Sequence, residues 1–148
     1  MSCVLGFDYG QRRIGVASGN HISQSARPLP ILMVNAGEPE WTRVDALLAE
    51  WKPEALIVGL PLTLDGGEQA ITRAARAFAT TLGNRSGLPV HLVDERHTSQ
   101  EAARRFAGQR AAGAARRRDA ANIDSLAAAV ILESWLAQTS GQSNPNPE

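Results

Sequence analysis

The sequence predicts an α/β domain, a mixed sheet flanked by helices, on three observations. Apolar runs of strand length recur along the chain, and the first three follow one another through short turns. From residue 38 onward, helix-like and strand-like patterns alternate. A meander followed by alternating units gives three antiparallel strands plus two parallel ones, a five-stranded sheet. The 148 residues are about one domain's worth of chain, and 43% hydrophobic content suffices for a single core.

Taken in order, Cys3 to Phe7 and Ile14 to Ser18 read as strands joined by the tight turn DYGQRR, and ARPLPILMV as a proline-marked edge strand. Glu38 to Trp51 carries Trp41, Val44, Leu47, Leu48 and Trp51 at steps of three and four, one apolar helical stripe stopped by KPE. ALIVGLP, Ala55 to Pro61, is a continuous apolar run, as expected of a strand buried on both faces of a parallel sheet. The loop LTLDGG leads to an alanine-rich helix from Glu68 to Leu82, the turn GNRSGLP and a second short buried strand, VHLVDE. A helix from Ser99 to about Phe106 comes next. Gly108 to Ala121 has arginines and small residues but no apolar period, and reads as a mobile basic loop. Ile123 to Leu136 forms the last helix. The single domain therefore spans residues 1–138, and the polar, proline-containing residues 139–148 are expected to lack fixed structure.

Composition excludes several classes. The formal net charge is zero, so bulk electrostatics does not announce a nucleic-acid partner, although the charge is unevenly distributed. Lys52 is the lone lysine among many arginines, a bias that fits either phosphate recognition or GC-rich coding. One cysteine, Cys3, rules out a disulfide framework and gives no zinc spacing, which fits a reducing cytoplasm. No apolar stretch approaches the roughly 20 residues that cross a bilayer, so no membrane association is expected.

Three acids fall at positions where ligands of such sheets gather: Asp8 ending the first strand, Glu95 ending the last, and Asp124 in the first turn of the final helix. Each also has an ordinary structural reading. Asp8 suits an Asx turn before Gly10, Glu95 a solvated ion pair with Arg96, and Asp124 the positive end of a helix dipole. The dipole explains the turn Asp124 occupies but not its face, which it shares with Ala127, Ala128, Ile131 and Trp135. Carboxylates held close together repel unless a divalent cation sits among them, and hard oxygen ligands suit Mg²⁺ or Mn²⁺. Such a site activates water and stabilises charge on a phosphodiester, so metal-assisted phosphodiester hydrolysis is the expected chemistry.

The stretches GFDYGQRRIGVASG, ALIVGLPLTLDG, VDERHTSQEA and IDSLAAAVILESWL resemble, in order and spacing, the motifs of the YqgF/RuvX family. The resemblance runs from Val4 to about Gln138. It implies an RNase H-like fold related to Holliday-junction resolvases, and nuclease activity on the 5′ end of pre-16S rRNA in ribosome biogenesis. It further implies that Asp8, Glu95 and Asp124 are the catalytic residues and the Mg²⁺ or Mn²⁺ ligands. Asp94 is passed over because strand alternation turns it away from Glu95. The chain departs from the family at Gln11-Arg12, where many members have Thr-Lys, at His97, and ahead of Asp124, where arginines stand in place of a lysine.

Arg12, Arg13, Arg96, Arg116, Arg117 and Arg118 are candidate substrate-binding residues. With Arg104, Arg105 and Arg110, the last three make a local basic patch that suits salt-sensitive phosphate binding. That patch equally suits a solvated linker, and without interleaved aromatics it is not a base-stacking surface. RNA is the expected partner, with the protein a monomer or weak homodimer. Two other readings stay open. A Holliday-junction resolvase would share the fold, although ALIVGLP carries no acid. An actin-like ATP-binding module also opens with a strand and D-x-G, but duplicates it, and no second copy is present here.

Overall fold

The structure, a computed structural model, describes residues 3–63, 65–94 and 120–143. Its first three strands, β1 (Cys3–Asp8), β2 (Arg13–Asn20) and β3 (Ser25–Asn35), form the expected antiparallel meander. A two-residue strand, β4 (Glu38–Pro39), then folds back on β3. Helix α1 (Trp41–Trp51), strand β5 (Ala55–Leu60), helix α2 (Ala70–Ser86), strand β6 (Val90–Asp94) and helix α3 (Ala120–Ser143) complete the described chain. The sheet order is β4-β3-β2-β1-β5-β6, with β5 parallel to β1 and β6 parallel to β5.

The mixed α/β sheet is as expected, but it has six strands rather than five. The extra strand arises at a turn where Ala36 and Gly37 take positive φ, 52° and 81°. Two consecutive positive values make the kind of two-residue turn that suits hairpin twist. Residues 38 and 39 therefore pair with β3 instead of starting the helix, and α1 begins at Trp41. Glu40, between β4 and α1, keeps the hairpin end in place: its Oε1 accepts a hydrogen bond from the Met33 N–H at 2.8 Å. Helix α2 begins two residues later than expected and runs on to Ser86, where Gly87 at φ 71° ends it with a left-handed cap. The strand β6, expected to be buried, forms an edge of the sheet, with His91, Leu92 and Asp94 exposed. Helix α3 reaches Ser143, five residues into the segment expected to be unstructured. Glu95, the expected helix at Ser99–Phe106 and residues 108–119 of the basic loop lie outside the described residues.

Strand alternation divides the core into two layers. Leu5, Phe7, Leu56 and Val58 face α1 and α2, where they pack with Val44, Ala75, Phe78 and Leu82. Val4, Ala17 and Ile57 face the other way, against Ala128, Ile131, Leu132 and Leu136 of α3. Fully burying one such large side chain stabilises the fold by about 1.5–3 kcal/mol, so each layer holds its helices firmly. Burial on α3 is wider than the expected stripe, because all residues from Ala127 to Leu132 are buried. Leu132 lies directly over glycines of the meander: a Cβ added at Gly6 or Gly19 would stand 3.2 or 2.8 Å from its side chain. Among the described residues no helix is long and apolar enough to cross a membrane.

Candidate active site

Asp8 is the last residue of β1, and the alternation that points Val4 at α3 points Asp8 to the same side. Its neighbours across the two ladders are Gly15 on β2 and Gly59 on β5. Residues opposite each other in a sheet share a face, so the two positions directly opposite the half-buried Asp8 carry no side chain.

Helix α3 begins at Ala120, three residues before the expected Ile123, so Asp124 is its fifth residue rather than part of its first turn, and Gly15 fixes how close the helix comes to the sheet there. A Cβ there would fall 1.8 Å from the carbonyl oxygen of Asp124, so only glycine lets the helix backbone lie this close. Beside it, the β2–β3 register slips between Ile14 and Val16, a bulge of the kind that terminates pairing and re-aims side chains. The next residue of α3 fills the break: Ser125 Oγ donates to the Leu29 carbonyl at 2.6 Å and accepts from the Val16 N–H at 3.2 Å. Ser125 is 1% exposed, and this single hydroxyl satisfies the buried Val16 N–H and the partly buried Leu29 carbonyl and pins the first turns of α3 to the sheet. Asp8 and Asp124 thereby flank the same glycine, 116 residues apart in the chain.

The charge on Asp124 is only partly compensated. The Arg13 Nε lies 3.0 Å from its Oδ2, near enough for an ion pair, with the two side chains 43% and 28% exposed. The contact is not aligned as a hydrogen bond, and the buried Oδ2 accepts none. Burial raises the Asp124 carboxyl above its ordinary range, and the charge of Arg13 only offsets part of that rise. A buried carboxylate oxygen without a hydrogen bond, on the side of the sheet to which Asp8 also points, is the kind of oxygen donor that suits a hard divalent cation. In donor chemistry, Asp8 and Asp124 would suit the Mg²⁺ or Mn²⁺ the resemblance implies.

The other expected site residues divide into two groups. Arg12 is exposed on the turn, where its carbonyl accepts from the Val34 N–H at 2.9 Å, and Arg13 follows it into the acidic site. Glu95, Arg96, His97, Arg116, Arg117 and Arg118 lie outside the described residues. Asp94 follows Val93, which packs on the α3 side, so strand alternation places it on the opposite face. Among the described residues, no three His, Cys, Asp or Glu side chains gather as a metal cluster.

Sequence reasoning overlooked Gly15 and Ser125. A lone glycine inside a strand pattern is a recognised sign of a bulge or close backbone approach, so Gly15 had a signal. Ser125 had none, because its role exists only once the bulge has formed.

Comparison with known proteins agrees with this architecture. A family model described as RuvX: Holliday junction resolvase matches residues 2–138. A protein of Xanthomonas axonopodis pv. citri, provisionally named a pre-16S rRNA nuclease, is 52% identical over 134 residues, covering 90% of this chain and 86% of its own. A protein of Xanthomonas euvesicatoria pv. vesicatoria with the same name is 51% identical over the same length. Among solved structures, T. thermophilus RuvC in complex with a Holliday junction substrate superimposes with a TM-score of 0.61 at 19% identity, covering 94% of this chain and 96% of that one. The yeast mitochondrial Holliday junction resolvase Ydc2 gives 0.53 at 11% identity, covering 96% and 80%. These two likenesses establish a shared RNase H-like fold. With the match spanning nearly the whole chain, the protein belongs to the RuvX family.

Proposed function

We propose that this protein is a metal-dependent nuclease of the cytoplasm that processes the 5′ end of pre-16S rRNA. The family and the fold both support a nuclease. The observation that carries the metal dependence is the convergence of Asp8 and Asp124 on Gly15, with a buried Asp124 oxygen that accepts no hydrogen bond. Asp8 and Asp124 would hold Mg²⁺ or Mn²⁺ together with Glu95, the third acid of the family pattern. Such an ion supplies an activated water and neutralises charge building on the phosphodiester.

The chain's own groups do the rest. Two carboxylates on a rigid hairpin and a pinned helix present a fixed negative site, so little reorganisation is required when the cation binds. Arg12 and Arg13, at the mouth of that site, supply forked donors for phosphate oxygens and hold the substrate backbone against the acids. Arg96, Arg116, Arg117 and Arg118 extend that binding surface. Contacts of this kind are sequence-independent and weaken with salt. RNA is favoured over a junction because the curated relatives with half of their residues identical are named for pre-16S rRNA. The junction reading rests on the description of the family model and on structures alike in fold alone.

The test is a substrate panel in one Mn²⁺ buffer: RNA with the pre-16S 5′ extension, a four-way DNA junction, and ATP. Cleavage of the RNA at its 5′ extension, blocked by EDTA, is expected. Preferential cutting of the junction would replace the RNA reading, and hydrolysis of ATP alone would replace the nuclease reading.

A further inference from the structure

We infer that Arg13 is a resident counter-cation of the acidic site, yielding Asp124 to an incoming divalent cation and thereby becoming free to bind a substrate phosphate. The inference rests on the reading of Asp8 and Asp124 as ligands, and adds a role that the family pattern does not give.

Three observations carry it. First, the Arg13 Nε sits 3.0 Å from Asp124 Oδ2, the oxygen that accepts no hydrogen bond. An arginine and a metal ion compete at that oxygen, since a divalent cation bound at the short distance of a Mg²⁺ or Mn²⁺ ligand repels the positive guanidinium and neutralises the charge that holds it. Second, the Arg13 side chain is 43% exposed at the open end of β2, so it has room to leave. Leaving Asp124 bare would strand a largely buried charge, whereas exchanging one cation for another does not. Third, Arg12 is also exposed on the same turn, so a released Arg13 joins a second guanidinium at the mouth of the site. Paired forks of this kind suit the non-bridging oxygens of a phosphodiester. The bound metal and the substrate then become linked: cation entry creates the phosphate-binding group.

The test is isothermal titration of MnCl₂ into the full-length protein at low salt, without substrate. Arg13→Gln removes the competitor and is expected to bind Mn²⁺ about two- to fivefold more tightly than wild type, as displacing a partly exposed ion pair would predict. Arg13→Lys, which keeps the charge, is expected to return toward the wild-type affinity. In a companion measurement with a phosphorothioate RNA, Arg13→Gln weakens binding when Mn²⁺ is present and has little effect in EDTA, where Arg13 is engaged by Asp124. Unchanged or weaker Mn²⁺ binding by Arg13→Gln overturns the inference while leaving the ligand assignment standing. Wild-type affinity retained by Asp124→Asn, or no Mn²⁺ binding by wild type, overturns the ligand assignment itself and the inference with it.

Discussion

Gly15 sets the distance between the two acids. Its hydrogen is all that separates β2 from the Asp124 carbonyl, so even a methyl group forces the helix away. Gly15→Ala is expected to cost about 3 kcal/mol, the upper end of what overpacking does, because backbone rather than a flexible side chain must move. The displaced Asp124 should also bind Mn²⁺ more weakly, so urea unfolding and metal titration change together. Unaltered stability would mean the helix start is not held this closely. The lone cysteine offers a separate check at this scale, since any thiol chemistry reports Cys3 alone. Burial raises its thiol above the ordinary 9.0, and the nearby Glu54 charge adds to the rise. The fold thus favours the neutral thiol, a contribution present below pH 9.0 and lost as pH rises through the elevated value. The pH profile of alkylation by iodoacetamide should accordingly have a midpoint above 9.0, and Glu54→Gln should move it down.

Helix α3 owes its position to two devices, apolar packing along its length and the Ser125 hydroxyl at its start. Ser125→Ala is expected to cost about 1–3 kcal/mol, because the buried Val16 N–H and the partly buried Leu29 carbonyl lose their partner. Denaturant melts will measure it, and a change under a few tenths would show that the bulge closes on its own.

The elements that sequence made legible are those with period and length: the meander, the apolar run of β5 and the core of α3. Elements decided by one or two residues were not. Strand β4 exists because Ala36 and Gly37 adopt a turn that their sequence only permits. The polar residues after Gln138 carry no apolar period, yet the helix continues through them. Of the site, Asp8 and Asp124 could be picked out by type and position, but their meeting at Gly15 depends on a bulge and a backbone contact at which the lone glycine only hints.

At the scale of the whole molecule, the sheet order puts β1 between the meander and the parallel pair, so its carboxyl end is where both halves of the fold meet. One face carries α1 and α2, which serve the core, and the other carries α3, which brings an acid to that end. A site assembled from Asp8 and Asp124, so far apart in the chain, would bind a cation only when folded. Saturating Mn²⁺ at about 100 times its dissociation constant should therefore raise stability by about 2.7 kcal/mol. Thermal melts in Mn²⁺ and in EDTA read this directly, and identical curves would show that no folded-state ion site exists.

The most direct test of the proposed metal dependence is to follow a 5′-labelled RNA with the pre-16S extension in Mn²⁺, comparing wild type with Asp8→Asn. The substitution keeps the shape of the side chain and removes its charge. Cleavage by wild type and a loss of about a thousandfold or more in the variant is the predicted result. Cleavage by Asp8→Asn at the wild-type rate would contradict it.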